Sequence, residues 1–291
     1  MRKFIRVVVS IIIFLFFIMF ILDIIYTQIY KSSIPRSSLQ YTLKTQNKKF
    51  DIVFLGSSRV ASHIDTELFE SLSNQHVINL GVEGVSLNDN LLQLNLLIDN
   101  FEPISTLFLQ IDANYNIESS SILATSDAMP FLNNEIIKSH FKKYNENFNY
   151  LNYFPFYRYI IYAPRIGFRE TFFTFLNKKP KIDPSSGFIP KFGNNISIPN
   201  VLPNSISKKN LILEDIITIC KKNNIELILY TSPFCSKVIN KNYIEKLKNK
   251  IPNLIDLSNG YDDELFYDCG HLNIQGAKVF TKNLYNSTFN K

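Results

Sequence analysis

The sequence predicts an α/β domain, a parallel sheet with helices on both faces, preceded by one N-terminal transmembrane helix. Three observations carry that expectation: a near-unbroken apolar run close to the N-terminus, five short β-rich runs further on, and amphipathic stretches between those runs. The chain has 291 residues, 46% of them hydrophobic and 19% charged, which excludes a disordered or collagen-like protein. It leaves room for one large domain or two small ones.

From Val7 to Leu22 every residue except Ser10 is apolar, with Arg2, Lys3 and Arg6 before the run and Asp23 after it. A helix over residues 4–26 is long enough to cross a bilayer, which takes about 20 residues. The basic flank keeps the N-terminal tail in the cytoplasm and exports everything after about residue 27. A cleaved signal peptide has a shorter core and ends at small residues. Here the run ends Phe20-Ile21-Leu22-Asp23, with no small residue, so residues 1–27 are expected to be an uncleaved anchor. Residues 28–48 are polar and contain Pro35; they read as a tether that lifts the remaining domain, residues 49–291, off the membrane.

Within that domain, β-rich runs fall at 49–55, 76–80, 106–111, 225–230 and 253–257. Helix-spaced amphipathic stretches lie near 62–73, 86–100, 206–222, 238–250 and 273–287. Alternation of this kind argues for a parallel sheet, with chemistry expected in the loops at the C-terminal ends of the strands. The alternation breaks between about 115 and 205. Of the chain's 40 Phe and Tyr residues, 14 lie between Phe141 and Phe175, and a stretch this long is an insertion with its own helices rather than a loop. Its aromatics are either its own core or a surface facing substrate or membrane.

The net charge is +6 but dispersed, with no dense basic run to suggest nucleic acid. Cys220, Cys235 and Cys269 are odd in number and lack C-x-x-C spacing, which excludes a zinc ribbon and a disulfide framework. Two readings stay open for them: three buried thiols, or one bridge, with Cys220 and Cys235 the easier pair. His76 and His140 have no partners at ligand spacing, so neither a metal nor another cofactor is expected.

Four segments can carry chemistry. Asp51-Ile52-Val53-Phe54-Leu55-Gly56-Ser57-Ser58-Arg59 is a strand that ends in a tight turn bearing serines, which exposes a hydroxyl and leaves a backbone N–H free for an oxyanion. Asn79 to Ser86 includes Gly84, and Gln110 to Asn114 ends in an amide; each places an oxyanion donor after a strand. Asp268-Cys269-Gly270-His271 puts a carboxylate three residues before an imidazole, able to hold one ring nitrogen and aim the other at a nucleophile. Taken singly, each reads first as turn, loop or cap chemistry. His63, five residues after Ser58, is expected on a helix surface, and Cys269 as a small filler. Arg59 either holds an anionic substrate group or pairs with an acid.

In this order, and each at a strand end, the four segments resemble the SGNH (GDSL-like) hydrolase superfamily over residues 49–115 and 206–287. That resemblance implies a flavodoxin-like three-layer fold and a Ser-His-Asp triad of Ser58, His271 and Asp268. It also implies an oxyanion hole from the N–H groups of Ser58 and Gly84 and the side chain of Asn114. Two departures stand out: Ser57 occupies the family's usual Asp position, and Asp112-Ala113-Asn114-Tyr115 keeps only the asparagine of the third block. Gly-Ser-Ser behind a single membrane helix is similar to the anchored envelope branch, which includes the D-alanine transfer proteins and relatives of alginate O-acetyltransferase. The implied activity is that of an extracytoplasmic esterase or O-acyltransferase acting on acyl, most simply acetyl, groups of an envelope glycan. The implied partners are that glycan and a multi-span membrane acyltransferase. The alternative is a non-catalytic envelope binding or assembly protein on the same scaffold.

Overall fold

The computed structural model describes residues 1–180 and 183–289. It begins with α1, Arg2–Ser32, a helix long and apolar enough to cross a membrane, and its apolar window is fully exposed. Its 31 residues rise about 46 Å, against roughly 30 Å of bilayer hydrocarbon. About ten residues therefore project beyond any span, and the domain packs on them.

Residues 28–48 do not form a tether. After α1 ends at Ser32, a short helix α2, Ser38–Lys44, buries Leu39, Gln40 and Thr42. The polar composition misleads because its polar groups serve internal bonds. Gln40 Oε1 accepts from the Arg36 N–H at 3.0 Å, and Lys44 donates to the Ser33 carbonyl at 2.6 Å.

The chain then alternates as expected. It runs through β1 (Ile52–Leu55), α3 (Ser58–His63), α4 (Thr66–Ser73), β2 (Val77–Asn79), α5 (Leu87–Asn100) and β3 (Thr106–Gln110). All five expected strands enter one parallel sheet of order β2-β1-β3-β4-β5, once β4 (Glu226–Thr231) and β5 (Ile255–Asp256) are added. Side chains alternate across it. Val53 and Leu55 join a core with α5 residues Leu87, Leu91 and Leu94, whereas Ile52 and Phe54 join a second core with Val60, Phe69 and Phe280. Helices thus cover both faces.

Between β3 and β4 lies the insertion: α6 (Ile122–Ala128), α7 (Glu135–Tyr144), α8 (Phe148–Tyr153), α9 (Tyr157–Ile161), α10 (Ala163–Ile166) and α11 (Phe168–Phe175). Its ends are clamped together, since Asn210 Nδ2 donates to the Tyr115 carbonyl at 2.7 Å and Asn116 bonds both Ser205 and Ser207. The helices share a third core, in which Phe141, Phe148 and Tyr159 meet Tyr30 of α1 and Leu92 and Leu96 of α5. After the insertion come α12 (Leu211–Lys222), capped by Asn210, then α13 (Asn242–Lys250), and last a hairpin of β6 (Phe266–Asp268) and β7 (His271–Leu272) before α14 (Ile274–Phe289).

Candidate active site

β1 ends at Leu55, and Gly56 turns the chain at φ +152°. A Cβ there would sit 2.4 Å from Val60 Cγ2 and 2.8 Å from Gln110 Cβ, so only glycine lets the turn close this tightly. Ser57 caps α3, its hydroxyl accepting from the Arg59 N–H, and both its own N–H and its hydroxyl donate to Gln110 Oε1. Ser57 is thereby spent on structure. Ser58 stands at the first position of α3, half-buried, and its backbone N–H donates to no protein group among the described residues.

The Ser58 hydroxyl lies 2.8 Å from His271 Nε2. His271 Nδ1 lies 2.9 and 3.0 Å from the two oxygens of Asp268. A carboxylate only accepts, so Nδ1 carries the ring proton and Nε2 is left to accept from Ser58 O–H. The turn between β6 and β7 holds Asp268 in place, because its Oδ1 also accepts the Gly270 and His271 N–H groups at 2.8 and 2.9 Å. Asn273 then caps α14 by accepting from Gln275 and Gly276, which fixes where the hairpin ends.

The oxyanion candidates are placed as follows. Gly84 sits in an exposed turn at φ +69°, and its N–H is likewise unspent among the described residues. Asn79 braces that loop, donating to the carbonyls of Val60 and Ile64 while its Oδ1 accepts from the Gly81 N–H. Asn114 is buried; it gives one amide proton to the Gln110 carbonyl and accepts from the Asp112 N–H, so one N–H remains.

Several residues near the site take roles different from those expected. His63 is not on a helix surface but fully buried, its Nε2 accepting from the Leu272 N–H at 3.0 Å, with its ring 6.3 Å from that of His271. Burial, then the neighbouring Arg59 charge, holds it well below the usual histidine range, so it stays neutral. Of the two roles open to Arg59, the structure shows the ion pair. Its guanidinium is buried against Asp112, donates to the Pro233 carbonyl, and lies 3.6 Å above the Phe234 ring.

The bridge joins Cys235 to Cys269, not Cys220 to Cys235. Cys220 lies in the last turn of α12, before β4, and faces the first core, whereas Cys235 follows the other end of β4 and faces the second. The strand's length, about 20 Å, keeps them apart. Cys269 is therefore a covalent tie on the triad hairpin rather than a filler. No short-range pattern marks the bonds of His63 to Leu272, Gln110 to Ser57 or Asp112 to Arg59, because those partners lie far along the chain.

The last part of the insertion also reaches the site. Asn195 N–H donates to the Tyr267 carbonyl and Ile274 N–H to that of Lys191. A cavity of about 400 Å³ opens there between residues 195–201 and Tyr267 to Gly270, on the Asp268 side of the triad. The arrangement sets a serine hydroxyl against an imidazole nitrogen, leaves the Ser58 backbone N–H unspent among the described residues, and opens a cavity of mixed polar and apolar lining beside Asp268. Compared with known proteins, the chain matches no family model and no curated sequence.

Proposed function

We propose that this protein is a membrane-anchored serine esterase or O-acyltransferase that works outside the cytoplasm on acyl groups, acetyl in the simplest case, of an envelope glycan. The observation that carries the proposal is the continuous chain Ser58 Oγ, His271 Nε2, His271 Nδ1, Asp268, with every link between 2.8 and 3.0 Å. Such a chain suits acyl transfer.

Ser58 Oγ attacks the ester carbonyl as its proton passes to His271 Nε2, and Asp268 offsets the charge that develops on the ring. The tetrahedral oxyanion is met by the Ser58 and Gly84 N–H groups and the remaining Asn114 N–H. Collapse breaks the bond to the leaving alkoxide, which takes the proton back from Nε2. Water or a glycan hydroxyl, deprotonated by the same nitrogen, then releases the acyl group from Ser58. Water gives the esterase and a hydroxyl the transferase. Loss of one oxyanion donor typically costs roughly 10²–10³ in rate. In the transferase case, a multi-span membrane acyltransferase is the partner that supplies the acyl group.

A serine-reactive phosphonate tests the assignment. Ser58 of the full chain is labelled, and His271→Ala loses most of that labelling. Labelling at another residue, or none on the folded parent, contradicts it and leaves the fold as a binding scaffold.

A further inference from the structure

The insertion divides its aromatics in two. Phe141, Phe148 and Tyr159 are buried, but Phe168, Phe172 and Phe175 are 77%, 49% and 63% exposed. These three recur at i, i+4 and i+7, which places them on one face of α11, while Thr171 and Thr174 on the other face are buried. Tyr150, Tyr153 and Phe154, on and just after α8, are also exposed. The exposed rings also cluster, Phe168 against Phe172 and Tyr150 against Phe154, and clustered exposed apolar groups mark an interaction surface.

Where this face sits says what covers it. The insertion is fastened to α1 where the apolar run ends. Arg158 pairs with Asp23 at 2.6 Å, and Asp23 also accepts the Phe156 N–H at 2.7 Å. Tyr26 packs edge-on against Phe156 and Tyr159, and Thr27 bonds the Tyr159 hydroxyl. α11 itself packs on α1. Ile21, Ile24 and Ile25 of α1, flanking the Asp23 to which the insertion is fastened, are exposed as well. Basic groups are interleaved: Arg169 and Lys178 both lie over the Phe173 ring. Aromatic rings with neighbouring cations, held where a spanning helix leaves hydrocarbon, match the chemistry of a lipid headgroup layer.

We infer that the exposed face of α8–α11 is a second membrane contact, an aromatic foot seated in the outer leaflet beside α1. The inference rests on the reading of α1 as a bilayer span. Anchor and foot together hold the domain in one orientation, so that Ser58 works at a set height above the lipid instead of sweeping a volume on a leash.

The chain has no Trp, so single substitutions report depth directly. Full-length protein is placed in vesicles of phosphatidylethanolamine and phosphatidylglycerol, with bromine on the acyl chains either near the headgroup or deeper. Phe14→Trp marks the middle of α1, and Phe168→Trp and Phe172→Trp mark the foot. Val279→Trp, on an exposed position of α14 across the sheet, marks water. The foot variants are expected to lose most of their emission to shallow bromine, Phe14→Trp to deep bromine, and Val279→Trp only to aqueous acrylamide. If Phe14→Trp is quenched by lipid while both foot variants follow Val279→Trp, the foot is overturned and the anchor stands. If the foot variants resist both quenchers, protein covers the face, and the inference is overturned in favour of a second copy or another partner. If Phe14→Trp escapes lipid quenching, the anchor reading fails and the foot with it.

Discussion

A serine hydroxyl is a poor nucleophile until a base stands within hydrogen-bond reach, and His271 Nε2 stands 2.8 Å from Ser58 Oγ. Asp268→Asn keeps the shape but removes the carboxylate that fixes the ring proton on Nδ1, so turnover of an activated ester is expected to fall roughly 10⁴-fold, with little change in thermal stability. Arg59→Met acts in the opposite way. It strands the buried carboxylate of Asp112, which is expected to cost about 3–5 kcal/mol of unfolding free energy in a denaturant titration. At this scale the hydrogen-bonded chain of Ser58, His271 and Asp268 was legible because each part is a short-range pattern: Gly-Ser-Ser after a strand, and Asp-x-x-His before a helix. His63 was not. Its partner, the Leu272 N–H, is 209 residues away, and nothing around position 63 shows that burial will leave the ring neutral.

Among the elements, the loops after β1, β3 and β4 and the triad hairpin are cross-linked around Ser58. Arg59 reaches Asp112 and Pro233, and two residues beyond Pro233 the bridge runs from Cys235 to Cys269. The bridge closes a loop with a sequence separation of 34, which corresponds to roughly 3–4 kcal/mol of lost unfolded-chain entropy. The double variant Cys235→Ser, Cys269→Ser is expected to lose stability on that order, and activity with it, as the hairpin loosens from β4. A pH dependence arises in α7. Burial, aided by the Lys143 charge, lowers His140 from 6.5 to about 4. The unfolded chain therefore takes up that proton first, and the folded state loses stability as pH falls from about 6.5 towards 4. His140→Leu removes this loss, so the melting temperature of the variant relative to the parent is expected to rise across that window. The inner strands β1, β3 and β4 were legible because parallel strands covered on both faces are continuous apolar runs, and the edge strands β2 and β5 carry shorter ones. The six-residue α3 and the two-residue β7 were not, being fixed by caps and distant bonds rather than by periodicity.

For the whole molecule, the decisive fact is that α1 is longer than a bilayer is thick and that the domain grips its C-terminal turns. Composition located the long apolar helix and bounded the insertion near 115 and 205, where Tyr115, Asn116, Ser205 and Asn210 form its neck. Composition also suggested a tether, because polar side chains that make buried hydrogen bonds look the same in sequence as polar side chains in water. In membranes, residues 28–48 are expected to resist limited proteolysis, with α2 covered by α5; rapid cutting there would restore the tether. The central claim is that Ser58 carries the acyl group. Full-length protein mixed with an activated acetyl ester should release product and show, by intact mass, one acetyl adduct on Ser58, both of them lost in Ser58→Ala. Product release by Ser58→Ala at the parent rate would contradict it.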